Sequence, residues 1–143
     1  MAPIENENEL ASLLETWEDT PQRTRAAFMR LKDHLAAKDG LKLYFNPRPG
    51  VTYSLRAQHV NQQKRKLFAM VDVIDDDPAN RWLSVCFYGE MISDPDEAGD
   101  FVPEGLLGED AVCFDVDAWE DDLLVYVEKR LNEAYAFAGQ NDA

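Results

Sequence analysis

The sequence predicts an α+β fold, in which a five-stranded, mainly antiparallel sheet has two N-terminal helices and one C-terminal helix packed on it. Apolar residues recur with helical spacing at both ends of the chain, and they alternate with polar residues in the middle. Short turns separate the alternating segments, which favours an antiparallel meander. The chain length suits a single domain over 1–143, and we expect residues 1–8 and 140–143 to fray.

Two helices are predicted before the first strand. The apolar stripe of the first helix is formed by Leu10, Leu13, Leu14 and Trp17. Thr20 and Pro21 are expected to begin the second helix, because threonine caps helices and proline suits their first position. The apolar face of this second helix consists of Phe28, Leu31 and Leu35. Gly40 marks its end, since glycine readily adopts the closing left-handed conformation.

Five segments have the pattern of strands. LKLYFN and VTYSLRA alternate around the turn NPRPG, which predicts a hairpin with one solvated face. LFAMVDVI and RWLSVCFY are more continuously apolar and are typical of central strands, and AVCFDV is the fifth strand. Residues 89–110 form a long connection before it, and connections of this length are often functional or mobile.

The C-terminal helix has the clearest pattern. Asp117 and Glu120 have the spacing of a capping box, and Asp121 and Asp122 suit the positive end of the helix dipole. Its predicted buried face consists of Leu124, Val127, Leu131, Ala134, Tyr135 and Ala138. Gly139 marks its expected end.

Composition restricts the class of protein. No apolar run approaches the ~18 residues of a membrane span, and the N-terminal acids do not suit a signal peptide. We therefore expect a cytoplasmic protein with no membrane partner. Cys86 and Cys113 lie within apolar strand-like segments, which favours reduced core cysteines over the alternative of a disulfide.

Charge is unevenly distributed along a chain of formal net charge −14. Residues 40–71 contain six bases and no acid, whereas residues 72–128 contain eighteen acids and one base. The candidate ligand- or partner-binding residues lie in or beside the basic run: Arg48, Arg56, His59, Lys64, Arg65 and Lys66. Neutralisation by the acidic segment is the favoured interpretation, and a protein or small-anion site is the alternative. Nucleic acid is disfavoured, because the net charge repels phosphate.

No motif indicates catalysis, a metal or a cofactor. Phosphate-binding glycine motifs are absent, and neither His34 nor His59 forms a local signature with a cysteine. DPDEAGDFVPEG begins like a calcium loop, but Ala98 and Gly105 stand where it needs ligands. The carboxylates of Asp75–Asp77 could approach a hard cation, yet neighbouring side chains in a turn diverge. We therefore expect no catalytic residues, no metal site and no cofactor.

Three segments carry a resemblance to a known family: NPRPGVTYSLRA, RWLSVCFY and CFDVDAWEDDLLVYVEKRLNEAY. Over about residues 20–138 the chain resembles small uncharacterised bacterial α+β domains of the YdhG-like kind, which are compared with the frataxin-type arrangement of helices beside an antiparallel sheet. This resemblance transfers no catalytic residue. Some relatives are described as iron-handling, and this resemblance makes Asp75–Asp77 and Glu120–Asp122 the residues to test for metal binding. In size and composition the chain is also similar to acidic chaperones of bacterial secretion systems.

The expected function is a non-catalytic cytosolic binding or adaptor module with a bipolar charged surface. Its expected partner is a protein, which includes a second copy of the chain in a homodimer. The alternative is an acidic metal-handling, iron-binding protein.

Overall fold

A computed structural model describes residues 2–140 and residue 143. The described helices are α1 (Glu7–Thr16), α2 (Thr24–Ala36) and α3 (Asp121–Ala138). The strands are β1 (Ile4–Glu5), β2 (Leu41–Arg48), β3 (Thr52–His59), β4 (Ala69–Ile74), β5 (Trp82–Tyr88), β6 (Asp100–Leu106) and β7 (Glu109–Val116). The α+β class is confirmed. Of the two segments that are expected to fray, 1–8 and 140–143, residues 1, 141 and 142 lie outside the described residues.

All seven described strands form one sheet in the order β1-β2-β3-β4-β5-β7-β6. Every neighbouring pair is antiparallel except β1 and β2, which are parallel. The prediction of five strands is therefore wrong. β1 has only two residues and so has no readable period, and β6 contains Pro103 and a bulge between Val102 and Leu106. Both features obscure the alternation that identifies a strand.

The sheet has one face towards the helices and one face away from them, which we call the open face. A row of cross-strand partners on the helix side is fully buried: Phe45, Leu55, Val71, Val85 and Phe114. The next row lies on the open face: Tyr44, Arg56, Met70, Cys86 and Cys113. Successive side chains of a strand point to opposite faces, so the alternation in β2 and β3 accounts for both rows.

The second helix begins later than predicted. Pro21 lies in a turn, and α2 starts only at Thr24. The carboxylate of Asp19, rather than Thr20, accepts the free amides of the first turn, at 3.2 Å from Arg25 N and 3.3 Å from Ala26 N. An acidic group satisfies these amides and also suits the positive end of the helix dipole.

The third helix has the predicted buried face but a different start. Leu124, Val127, Leu131, Ala134 and Ala138 are buried, whereas Tyr135 is half-buried and donates from its hydroxyl to Asp39 O at 2.7 Å. The prediction of a capping box with Asp117 and Glu120 is wrong, because Glu120 itself occupies the N-cap position and its side chain makes no capping hydrogen bond. The Trp119 amide instead donates to Gln22 O at 2.7 Å, which joins this helix start to the segment before α2.

The two cysteines form a disulfide, so the expectation of reduced core residues is wrong. Cys86 on β5 and Cys113 on β7 are direct cross-strand partners, with their Cα atoms 4.1 Å apart. Their pairing depends on the register between strands that are joined by a long connection, and each segment alone does not reveal it.

Within residues 2–140, no helix combines the length and the apolar character that a bilayer crossing requires.

Candidate binding groove

Four of the six candidate residues line one groove on the open face, and two do not. The groove has a volume of about 480 Å³ and is lined by Tyr44, Arg56, Lys64, Arg65, Lys66, Leu67, Tyr88, Leu107 and Glu109. We call it the cationic groove. Arg48 does not line it and is the last residue of β2. His59 lies on the helix side of β3, where its ring is 5.3 Å from the ring of Tyr135.

The floor of the cationic groove is formed by side chains from two paired strands. Tyr44 and Arg56 are cross-strand partners of β2 and β3. The Tyr44 hydroxyl donates to Lys66 O at 2.5 Å, which joins the basic loop to the sheet. Burial raises the pKa of Tyr44, so the hydroxyl keeps its proton and remains a donor. Arg56 Nε donates to Ser54 Oγ at 3.1 Å, which orients the guanidinium along the strand.

One wall of the cationic groove is the loop between β3 and β4. Buried Gln62 holds this loop, because its Oε1 accepts from His59 N at 2.9 Å and its Nε2 donates to Leu67 O at 2.8 Å. Leu67 and Phe68 are fully buried. The amides of residues 63–65 donate to the oxygen of Ala143 at 3.2–3.5 Å. The loop is thus tied down at several points, while the side chains of Lys64 and Lys66 stay exposed.

Arg65 is neutralised within the molecule. Its Nη2 lies 2.8 Å from Glu109 Oε1 and also pairs with Glu90, and its guanidinium stacks over the ring of Tyr88 at 4.5 Å. Hydrogen bonds to Glu109 raise the pKa of Arg65, and the same contact lowers the pKa of Glu109. Its side chain is only 13% exposed. For this one cation, the expected neutralisation by the acidic segment matches the geometry.

The three other cations of the groove have a different environment. Among the ion pairs of residues 2–140 and 143, none includes Arg56, Lys64 or Lys66. Asp72 lies on the neighbouring strand β4, and its pKa is raised by burial and lowered in part by Ser54, Arg56 and Arg48. Asp72 Oδ1 is buried and has no hydrogen-bond partner within the described chain. Asp72 therefore offsets part of the field of Arg56 but does not pair with it.

The second wall of the cationic groove is the hairpin of β6 and β7, and Leu107 at its tip lines the groove. β7 contains the predicted strand AVCFDV, whereas β6 lies within residues 89–110, for which the sequence predicts a connection. Leu107 is 59% exposed, which is high for a large apolar side chain. Sequence reasoning missed Leu107 and Tyr88 as groove residues. The apolar pair Leu106–Leu107 within an acidic, polar stretch was the available signal.

The acidic segments that were considered for metal have structural roles. Asp75 is 3% exposed and accepts from Arg81 Nε at 2.7 Å and from Gly50 N at 2.8 Å. Asp94 accepts from Ala98 N at 3.0 Å and from Gly99 N at 2.9 Å, so it closes its own loop. No group of three or more potential ligands occurs among the described histidine, cysteine, aspartate and glutamate residues.

The histidines and cysteines are also engaged in local contacts. His34 Nε2 lies 2.8 Å from Asn132 Oδ1, and His59 Nδ1 accepts from Asn61 N at 3.0 Å. Both cysteines belong to the disulfide, so neither is a thiol nucleophile in this state.

The fold and the cationic groove together describe an α+β protein with a ligand-sized groove on the open face of its sheet. No protein-family model, curated protein or solved structure matches this chain. The resemblance to YdhG-like domains therefore stays a prediction from the three sequence segments, and function has to be inferred from the groove itself.

Proposed function

We propose that the chain is a non-catalytic binding module and that its cationic groove binds an acidic segment of a partner protein. The observation that carries this proposal is the convergence of Arg56, Lys64 and Lys66 beside the half-buried ring of Tyr44. Cations recognise carboxylates, and a tyrosine ring supplies contact surface that is apolar at the face and polar at the hydroxyl.

The net charge of −14 repels an acidic partner, but only over a short range. At physiological salt the field of distant charges is screened over about 8 Å, so the groove acts through its own cations. Each exposed ion pair is typically worth about 0.2–1 kcal/mol, which predicts modest affinity and a strong dependence on salt.

A protein segment fits this surface better than nucleic acid does. A phosphate backbone needs a basic track that continues beyond the first contacts. On the open face, the rows that continue from the groove lead to Asp72, Asp100 and Asp115. A long polyanion would meet these carboxylates, whereas a short acidic segment could end before them.

Neither the metal-handling alternative nor the cytoplasmic location gains an observation in its favour. Asp75 is engaged with Arg81 and Asp94 with backbone amides, and metal binding by the other carboxylates is left to titration as a prediction. We keep the cytoplasm as the proposed compartment on composition alone, although the disulfide of Cys86 and Cys113 counts against it, because stable disulfides are more common in oxidising compartments.

The proposal is tested by fluorescence anisotropy with a labelled synthetic peptide in which glutamates flank a single leucine. The triple variant Arg56→Gln, Lys64→Gln, Lys66→Gln should bind this probe about tenfold or more weakly than the wild type, because three ion pairs are lost. The matched control Lys32→Gln, Lys38→Gln, Lys129→Gln makes the same change in net charge on α2, just after α2 and on α3, and should bind like the wild type. Equal losses in both variants would show a general charge effect and contradict a groove site.

A further inference from the structure

A second groove adjoins the cationic groove at the edge of the sheet. It has a volume of about 600 Å³ and lies between β1 and the open-face side chains of β2 and β3. We call it the edge groove. Tyr44 and Lys66 line both grooves, so the two are continuous.

The edge groove differs from the cationic groove in chemistry. Exposed Pro3 and the half-buried ring of Tyr44 contribute apolar surface, whereas the side chain of Ile4, the register partner of buried Leu43, packs against the core on the helix side. Two cations, Lys42 and Lys66, also line it, but Glu5 lies beside them and offsets one charge. Lysine stems are themselves apolar, so they extend the apolar lining towards the rim.

We infer that an apolar side chain of the bound acidic segment occupies the edge groove, so that the ligand has two parts. This inference rests on the proposed function of the cationic groove. A further carboxylate would gain little beside Glu5, whereas an apolar group would remove the exposed surfaces of Pro3 and Tyr44 from water. Because Tyr44 and Lys66 belong to both grooves, one continuous chain can place acids on Arg56 and Lys64 and its apolar side chain beside Pro3.

The test compares two probes: the glutamate peptide with its single leucine, and the same peptide with serine in place of leucine. The wild type should bind the leucine probe about tenfold more tightly, because a leucine side chain is removed from water. Gln58→Trp adds bulk to the edge groove and should abolish this tenfold preference without weakening the serine probe. Thr52→Trp adds the same bulk at the other end of β3 and should leave both affinities unchanged.

The outcomes separate this inference from the proposed function. Equal binding of the two probes by the wild type would overturn the apolar site and leave the cationic groove standing. A leucine preference that survives Gln58→Trp but is lost in Leu107→Ser would place the apolar side chain at the hairpin tip and would also overturn it. Failure of the wild type to bind either probe would overturn both. If Gln58→Trp does not fold by circular dichroism, Pro3→Ser replaces it with the same expected loss of preference.

Discussion

Three neighbouring cations in the segment QKRK differ at the level of single residues. Arg65 is held by Glu90, Glu109 and the ring of Tyr88, whereas Lys64 and Lys66 are exposed. The loop is fixed on both sides by Gln62 and by buried Leu67, and Arg65 pairs with Glu90 and Glu109, whereas no ion pair of the described residues includes Lys64 or Lys66. One basic run therefore contains one structural residue and two residues that remain available to a ligand.

This difference predicts unequal effects on stability. Arg65→Gln should lower the free energy of unfolding by about 1–2 kcal/mol, because it removes two ion pairs and a cation–π contact. Lys64→Gln and Lys66→Gln should each change it by less than about 0.5 kcal/mol, as surface substitutions usually do. Urea denaturation at low salt measures all three, and equal midpoints for Arg65→Gln and Lys64→Gln would contradict the assignment.

Two aspartates on and just after β4 should respond to pH with opposite signs. Burial alone would raise the pKa of Asp75, but the Gly50 amide and Arg81 outweigh it and hold that pKa below its usual value. Its stabilising effect is therefore present above the pKa of the unfolded chain and is lost as the pH falls through the lower pKa of the folded protein. The pKa of Asp72 is raised by burial, so its ionised form costs stability at neutral pH and that cost disappears in acid.

Asp75→Asn should lower the free energy of unfolding at pH 7 by about 3 kcal/mol, because it leaves Arg81 buried without its partner. The gap to the wild type should shrink towards pH 3. Asp72→Asn, two strand positions before the end of β4, is the matched control and should not destabilise the protein at pH 7. Urea titrations at the two pH values measure both variants, and a pH-independent gap for Asp75→Asn would refute the ion-pair account.

At the scale of elements, local pattern predicts strands well and pairing poorly. The alternation in LKLYFN and VTYSLRA was enough to place Lys42, Tyr44 and Arg56 on a solvated face, because side chains alternate along a strand. AVCFDV within β7 is predicted from its pattern, but β6 is not, since Pro103 and a bulge break its period. Leu107 could not be assigned to the groove without the hairpin of β6 and β7, and the register that joins Cys86 to Cys113 depends on the same part of the fold.

The disulfide between β5 and β7 should contribute measurably to stability. It closes a sequence separation of 27 residues, and disulfides typically stabilise by about 2–4 kcal/mol. Dithiothreitol should lower the thermal transition of the wild type. The variant Cys86→Ser, Cys113→Ser should melt at the lower temperature with or without reductant. Two titratable thiols in the unreduced, unfolded protein would contradict the bond and restore the expectation of free cysteines.

In the whole molecule, the basic segment 40–71 contains one cation that is paired with acidic residues and several that remain available to a ligand. Arg65 joins the acidic second half of the chain, and Lys42, Arg56, Lys64 and Lys66 remain along one end of the open face. The charge asymmetry is visible in the sequence. The sequence does not show which cations are paired within the molecule, because this depends on which side chains of the folded loop reach Glu90 and Glu109.

Binding of an acidic segment across this end of the open face can be measured by a chemical-shift titration of the ¹⁵N-labelled protein with the glutamate–leucine peptide, beside a control peptide with lysine in place of glutamate. We expect saturable shifts confined to the amides around Tyr44, Arg56, Lys64–Leu67 and Leu107, which weaken as salt is raised and are absent with the lysine peptide. Shifts that cluster on the helices, or no shifts at millimolar peptide, would show that the acidic segment does not bind there.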